Sequence, residues 1–163
     1  MHPVPAGQRA KEQTLTPPTK AAAISTVLVA ADQFTKSLVA ASCLPGESLW
    51  ILRPLLHLTY VQNTGAAFGF FKGQQTLFVV MSVVVIGCIL RELLIRRPMA
   101  ARVVWGCALI LGGAAGNVID RVRLGYVIDF IGVGLWPMFN VADSAITIGV
   151  GLLLLHSLRR PSK

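Results

Sequence analysis

The stretch Phe139–Leu158, FNVADSAITIGVGLLLLHSL, places a single acidic residue, Asp143, at the start of a long and mostly apolar run. As a helix with a rise of about 1.5 Å per residue, residues 141–158 nearly cover the roughly 30 Å hydrocarbon core of a bilayer. Three further apolar runs precede this one, at about residues 21–42, 75–95 and 101–119. The sequence therefore predicts four transmembrane helices.

The composition supports an integral membrane protein. Hydrophobic residues make up 54% of the chain and charged residues only 13%, with a mean hydropathy of +0.66. A soluble domain needs a more polar surface than this composition provides. We predict one membrane domain over residues 21–158, with outer loops at 43–74 and 120–140. Residues 1–20 are polar and rich in proline and are expected to form a disordered tail, and residues 159–163 form a second, short tail.

Basic residues are distributed unevenly around the predicted helices. Ten lie on the side of the two termini: Arg9, Lys11, Lys20, Arg91, Arg96, Arg97, Arg102, Arg159, Arg160 and Lys163. The opposite side has four: Arg53, Lys72, Arg121 and Arg123. Because Lys and Arg in short loops are retained in the cytoplasm, we expect both termini and both tails to be cytoplasmic. The net charge of +8 then reflects topology and contact with anionic lipid, and no nucleic-acid partner is expected.

The two predicted outer loops contain strand-like segments. LWILRPLLHLTYV, residues 49–61, and YVIDFI, residues 126–131, are rich in β-favouring residues, with turn-forming glycines nearby. We therefore predict a small β-sheet at the membrane surface. His57 in the first segment is interpreted as a structural residue. The three cysteines have the spacing of neither a disulfide framework nor a metal site.

Ionisable groups within apolar sequence are costly, so they need a partner or a function. Asp32 and Lys36 lie four residues apart on one helical face, and we interpret them as a structural ion pair. Asn117 and Asp120 share a face of the third helix, with Arg121 beside them as an ionic or lipid-headgroup partner. These three residues fit either a hydrogen-bonded clamp at the helix end or a substrate site.

Asp129 and Asp143 have no basic residue near them in the sequence, so that each has only the other as a partner. Asp129 ends an extended run, Asp143 enters the fourth helix at its outer end, and the connecting chain is long enough for a hairpin return. Repulsion and desolvation then raise one pKa and leave the two carboxyl groups sharing a proton. One carboxyl group can accept a proton from water while the other donates to a carbonyl, as in an aspartic protease.

Two other interpretations remain at this point. A proton-coupled transporter or channel subunit also suits intramembrane aspartates, but its carboxylates would lie near the bilayer midplane at a repeat interface. Asp129 and Asp143 lie beside an outer loop instead, and the sequence has no internal repeat. A non-enzymatic scaffold explains Gly112 and Gly116, whose spacing lets helices approach closely, but it does not explain the unpaired acids.

Five motifs occur in order along the chain: DQFTK, NTGAAFG, GGAAGNVIDRV, YVIDFI and FNVADSAI. Together they resemble the motifs of lipoprotein signal peptidase, also called signal peptidase II, over residues 32–149. The resemblance implies a bacterial inner-membrane protease that cuts a prolipoprotein just before its diacylglyceryl-modified cysteine, with no metal and no cofactor. It assigns the catalytic dyad to Asp129 and Asp143. The substrate-binding positions that it implies are Asn63, Gly65, Asn117, Asp120, Arg121 and Asn140.

The expected fold class is an all-α membrane protein with four transmembrane helices, a small extracytoplasmic β-sheet that forms a cradle, and a periplasmic loop/helix lid. The lid is predicted at the end of the first outer loop, where Phe68, Phe70 and Phe71 can rest on the lipid interface. We expect a multi-pass monomer in the inner membrane, with its active site at the outer face. Its expected partners are the phospholipid bilayer and the lipidated precursor.

Overall fold

A computed structural model describes residues 15–65, 73–96 and 98–159. Within these residues the chain forms four helices and three strands: α1 (Pro17–Ser42), β1 (Ser48–Leu52), β2 (Leu56–Asn63), α2 (Gln75–Ile95), α3 (Ala101–Leu124), β3 (Val127–Val133) and α4 (Val141–Leu158). The limits of α2 and α4 match the predicted apolar runs. The predicted lid residues Phe68, Phe70 and Phe71 lie outside the described residues, as do residues 1–14 of the predicted disordered tail.

Two helices are longer than the apolar runs that predicted them. α1 begins at Pro17, because proline suits the first turn of a helix, so the last four residues of the predicted tail are helical. α3 continues five residues beyond the predicted limit and ends at Gly125, which has the left-handed φ of 84°. Asp120 and Arg121 therefore belong to this helix and not to the outer loop predicted at 120–140.

Three of the helices within the described residues, α2, α3 and α4, are long and apolar enough to cross a membrane. α1 is also long, with 26 residues. It does not reach the same hydropathy because Asp32, Gln33 and Lys36 interrupt it. The described structure is thus mostly helical, as predicted, with three helices that have the length and composition of membrane spans.

α3 is the central helix and packs against the other three helices. Its glycines permit this close packing: a Cβ added to Gly112 would lie 2.8 Å from Leu28 Cδ2, and one added to Gly116 would lie 2.6 Å from Asp32 Oδ2. Both glycines therefore face α1, as their small-xxx-small spacing predicts. Gly113 faces α4 in the same way, because a Cβ there would lie 2.5 Å from the carbonyl oxygen of Ala142.

The predicted sheet is confirmed as three antiparallel strands in the order β1-β2-β3. Val61 on β2 pairs with Asp129 on β3, and Asn63 pairs with Val127. After β3 the chain turns back, and Phe139 exchanges backbone hydrogen bonds with Ile131. This is the predicted hairpin return, and it delivers the chain directly to the first residue of α4. The ring of His57 lies against the ring of Trp50, with centroids 4.8 Å apart and a tilt of 40° between the planes.

Candidate active site

Asp129 and Asp143 reach the same cavity from two different elements. Asp129 lies on β3, and Asp143 lies in the first turn of α4. The cavity has a volume of about 510 Å³, and both aspartates line it. Four predicted substrate-binding residues line it with them: Asn63, Gly65, Asn117 and Arg121. The remaining wall is mostly apolar and includes Val127, Trp136, Pro137, Met138, Phe139, Ile146 and Ile148.

Asn140 connects the two aspartates. Its Nδ2 donates to Oδ1 of Asp129 over 2.7 Å, and its backbone N–H donates to Oδ2 of Asp143 over 3.2 Å. Its Oδ1 accepts the backbone N–H of Asp143 over 2.9 Å, so that Asn140 and Asp143 form the capping box of α4. Asn140 is fully buried and is not among the cavity-lining residues. It was predicted as a substrate-binding residue, whereas its contacts are those of a residue that orients both carboxyl groups.

A second asparagine holds the other oxygen of Asp129. Asn63 Nδ2 donates to Asp129 Oδ2 over 2.8 Å, and Asn63 Oδ1 accepts the backbone N–H of Gly65 over 2.9 Å. The amide is therefore fixed with its NH₂ group toward the carboxyl group. Because Asn63 ends β2 and Asp129 lies on β3, the sheet register brings these side chains together.

Asp143 receives its side-chain donor from α3. Asn117 Nδ2 donates to Asp143 Oδ1 over 2.8 Å, and Asn117 Oδ1 accepts from Asn140 Nδ2 over 3.2 Å and from Lys36 Nζ over 2.9 Å. Asn117 thus contacts both the candidate dyad and a buried charge cluster. Asn117 has the hydrogen bonds of the predicted clamp and also lines the cavity, and its role as a substrate-binding residue stays a prediction.

The charge cluster lies behind the cavity, between α1 and α3. Lys36 forms ion pairs with Asp32 at 2.8 Å and with Asp120 at 2.9 Å. Gln33 donates to Asp120 Oδ1 over 2.8 Å, and Asp120 Oδ2 accepts the backbone N–H of Ile128 over 3.2 Å. Asp120 is therefore a buried link between α1, α3 and β3. The prediction that it binds substrate has no support in this geometry, because Asp120 does not line the cavity.

Arg121 differs from the prediction in its partner. Its guanidinium group lies over the ring of Phe78, with Cζ 5.0 Å from the ring centroid, and it lines the cavity. Among the described residues no carboxylate lies within 4.0 Å of it, so the ionic alternative of the prediction is not observed, and the lipid-headgroup alternative stays a prediction. Adjacent helical positions point in different directions, and Asp120 turns toward α1 while Arg121 turns toward α2 and the cavity.

Burial and charge set the protonation of Asp129. Its side chain is 2% exposed, and burial, followed by repulsion from Asp143, raises its pKa from 3.8 to about 7. Hydrogen bonds from Asn63 and Asn140 and the positive charge of Lys36 act in the opposite direction. A carboxyl group with a pKa near 7 can both accept and donate a proton near neutral pH, as acid–base chemistry on a bound substrate requires.

Sequence reasoning missed Gln33 and the connecting role of Lys36. Both lie in an apolar helix, where a polar residue is a signal in itself. Their partners are more than eighty positions away, so the sequence shows that a partner is needed but does not show which one. Within residues 15–65, 73–96 and 98–159, no cluster of three or more His, Cys, Asp or Glu residues is arranged to hold a metal ion.

Known proteins share both the sequence and the fold of this chain. The family described as signal peptidase (SPase) II matches residues 24–159. A lipoprotein signal peptidase from Halothermothrix orenii is 45% identical over 130 residues, which cover 80% of this chain and 89% of that protein. One from Caldanaerobacter subterraneus subsp. tengcongensis is 48% identical over 123 residues, covering 75% and 84%.

Solved structures of bacterial membrane enzymes have a fold similar to that of this chain. A bacterial membrane enzyme determined by the in meso method superposes with a TM-score of 0.81 at 29% identity, over 88% of this chain and 93% of that one. A second such structure gives a TM-score of 0.79 at 31% identity, over 88% and 94%. The fold and the site together define the class of this protein, a helical membrane enzyme with two aspartates in one cavity. The chain belongs to the signal peptidase II family, and the predicted resemblance is confirmed.

Proposed function

We propose that this protein is an intramembrane aspartic endopeptidase that removes the signal peptide from prolipoproteins. It cuts N-terminal to the diacylglyceryl-modified cysteine, and Asp129 and Asp143 activate the attacking water. The observation that carries this proposal is the joint position of the two carboxyl groups in one cavity, connected by Asn140. Membership of the signal peptidase II family supports the choice of substrate.

The dyad supplies both proton transfers that peptide hydrolysis needs. The ionised carboxylate takes a proton from water as the water oxygen bonds to the scissile carbonyl carbon. The protonated carboxyl group donates to the carbonyl oxygen and forms a neutral tetrahedral intermediate. When this intermediate collapses, the carbon–nitrogen bond breaks as the protonated carboxyl group of the dyad gives its proton to the amine nitrogen. The ionised carboxyl group takes a proton from one hydroxyl of the intermediate, which becomes the new carboxylic acid. The raised pKa of Asp129, about 7, supports a pair that holds one proton near neutral pH.

The cavity suits a substrate that stays in the bilayer. Each methylene of a buried acyl chain contributes about 0.8 kcal/mol to membrane binding, so that a lipidated cysteine is costly to extract. An enzyme for this substrate must bring water and polar groups to the membrane. The mostly apolar wall of the cavity, with asparagines and aspartates on one side, supports such a role. Asn63, Gly65, Asn117 and Arg121 are proposed to contact the substrate there.

We further propose that α1 is the fourth transmembrane helix of a single domain over residues 21–158. Its charged residues Asp32 and Lys36 are buried against α3, whereas apolar residues such as Val27, Phe34 and Leu38 are exposed on its other sides. A helix that neutralises its charges internally can face lipid. We propose that the protein acts as a monomer. The basic residues support cytoplasmic termini, with the site at the outer face of the bacterial inner membrane.

The experiment that tests the function compares two precursors. Purified enzyme in detergent is incubated with a diacylglyceryl-modified prolipoprotein and with the same precursor lacking the modification. We expect cleavage of the lipidated precursor alone, with mass spectrometry placing the cut before the modified cysteine. Cleavage of neither precursor would favour the transporter or channel alternative, and equal cleavage of both would remove lipid recognition from the proposal.

A further inference from the structure

The ammonium group of Lys36 is enclosed by three acceptors. Its Nζ lies 2.8 Å from Asp32 Oδ2, 2.9 Å from Asp120 Oδ2 and 2.9 Å from Asn117 Oδ1. A lysine ammonium has three N–H donors and accepts nothing, so these contacts use all of its hydrogen-bonding capacity. The side chain is about 2% exposed and does not line the cavity. Lys36 is therefore fully occupied inside the protein and out of reach of a substrate.

One carboxylate already balances the charge of Lys36, so the contact with the neutral oxygen of Asn117 needs its own explanation. Asn117 carries an oxygen and an NH₂ group that exchange places when the side chain rotates about its Cβ–Cγ bond. A cation at 2.9 Å accepts only the oxygen as its neighbour. The NH₂ group of Asn117 is thereby forced toward Asp143 Oδ1, to which it donates over 2.8 Å.

The same orientation extends to the second aspartate. Asn140 Nδ2 donates to Asn117 Oδ1 over 3.2 Å and to Asp129 Oδ1 over 2.7 Å. With Asn117 reversed, the NH₂ groups of Asn117 and Asn140 would face each other. The fixed orientation of the Asn117 amide thus determines which atoms donate hydrogen bonds to both carboxyl groups.

We propose that Lys36 is a positioning residue for the dyad. Lys36 fixes the orientation of the Asn117 amide. Through Asn140 it also fixes the direction from which Asp143 and Asp129 receive their hydrogen bonds. This inference rests on the proposed function. It assigns to Lys36 a role beyond the structural ion pair with Asp32 that its spacing indicates. The charged side chains facing the site from the packed helices are Asp32 and Lys36 on α1 and Asp120 and Arg121 on α3.

Three variants distinguish the effect of the Asn117 amide orientation from the effect of the cluster's charge: Lys36→Met, Asp32→Asn and the double variant. Lys36→Met removes the contact with Asn117 together with a positive charge. The double variant removes one charge of each sign, so the net charge of the cluster is unchanged while the contact is still lost. It also keeps the test usable if uncompensated Asp32 and Asp120 prevent Lys36→Met from folding. Asp32→Asn removes one negative charge but keeps Lys36 and its contact with Asn117, and its remaining oxygen can still accept the backbone N–H of Ala142, so it is the control for the change in charge.

We expect the double variant to lose about 10- to 100-fold in kcat for the lipidated precursor, because the dyad donors are misplaced. KM should change less than kcat, since Lys36 itself does not line the cavity, although Asn117 does. Asp32→Asn should keep kcat within about twofold of the unmutated enzyme. The pH profile of cleavage should move to higher pH in Lys36→Met and to lower pH in Asp32→Asn, because the two changes remove opposite charges.

A folded double variant with the kcat of the unmutated enzyme would overturn the proposal and leave Lys36 as a compensating charge only. The unmutated enzyme and Asp143→Asn are assayed in parallel. If the unmutated enzyme cleaves and Asp143→Asn does not, such a result concerns Lys36 alone. If the unmutated enzyme does not cleave the lipidated precursor, the proposed function itself fails.

Discussion

The side chain of Asn140 donates to Asp129 over 2.7 Å while its backbone N–H donates to Asp143 over 3.2 Å. One residue at the start of α4 therefore contacts both carboxyl groups of the proposed dyad. The geometry of the dyad therefore depends on the position of α4 relative to the sheet.

The first prediction concerns the two aspartates. Asp129→Asn and Asp143→Asn should each lower cleavage of the lipidated precursor by at least about 10²- to 10⁴-fold, because an amide keeps the shape of the carboxyl group but cannot exchange its proton. Binding of the precursor should be retained, as measured by co-purification. Ser144→Ala changes a cavity-lining residue without removing a carboxyl group and is the control. Turnover at the unmutated rate in either aspartate variant would exclude that residue from the mechanism.

The second prediction concerns pH and stability. The pKa of Asp129 in the folded protein is raised above 3.8, to about 7, so the folded state binds this proton more tightly than the unfolded state. The resulting stability is fully present below about pH 4 and is lost as the pH rises through 7. It is on the order of 4 kcal/mol.

The measurement is thermal unfolding in detergent between about pH 5 and pH 8. We expect the unmutated protein to lose stability over this range, whereas Asp129→Asn, which has no titrating group at this position, should lose less. The variant should therefore be at least as stable as the unmutated protein at the upper end. A constant difference between the two proteins at every pH would show that Asp129 does not titrate in this range.

The third prediction contrasts two neighbouring residues. Asp120→Asn should destabilise the protein by about 3 kcal/mol, because Lys36 loses one of its two buried carboxylate partners. Arg121→Gln should change stability little, since the ring of Phe78 is its described contact. It should instead raise KM for the precursor, because Arg121 lines the cavity. Unfolding midpoints and KM values are measured for both variants. A large loss of stability in Arg121→Gln with a raised KM in Asp120→Asn would contradict these assignments and favour an ion pair between Asp120 and Arg121.

The fourth prediction concerns helix packing. Gly113→Ala should destabilise the protein by about 1–3 kcal/mol, because the added Cβ would lie 2.5 Å from the Ala142 carbonyl oxygen and 2.8 Å from Ile146 Cγ1. It should also lower cleavage, since it displaces the start of α4 and with it Asp143. Gly87→Ala is the matched control, because nothing lies within 4 Å of its added Cβ. An equal effect of the two substitutions on unfolding would contradict the close packing of α3 against α4.

The fifth prediction concerns topology. A reporter active only in the periplasm should remain inactive when fused at Lys163 and should become active when inserted in the outer loop after Val133. The uneven distribution of basic residues is the physical reason. An active reporter at Lys163 would reverse the orientation and place the dyad on the cytoplasmic side.

Much of this fold was accessible from the sequence because its signals are local. Apolar runs fixed α2 and α4 to their end residues, and β-favouring segments gave the three strands. The length of α3 was underestimated because Asp120 and Arg121 resemble the polar exit of a membrane helix. Their helical conformation is stabilised by contacts with other elements, Lys36 and Phe78, which a sequence window does not contain.

Six of the eight predicted site residues line the candidate cavity, but the contacts among them were not predictable from the sequence. Asp129 and Asp143 could be recognised as acids without a local partner. The asparagines could be recognised from the family motifs. The bridging position of Asn140 depends on the hairpin between β3 and α4, and the contact of Lys36 with Asn117 depends on how α1 is rotated against α3. Neither the hairpin geometry nor the helix rotation is specified by the spacing of polar residues in the sequence.

The buried charge cluster has a consequence for biogenesis. Lys36, Asp32 and Asp120 come from α1 and α3, so they can compensate one another before the last helix leaves the ribosome. Asn140 and Asp143 arrive only with α4, and they complete the site by capping that helix. A nascent chain thus passes through a stage in which Lys36 already has both carboxylate partners but the proposed dyad has a single aspartate. The proposed dyad is complete only when α4 is in place, and α4 also donates the backbone N–H of Ala142 to Asp32.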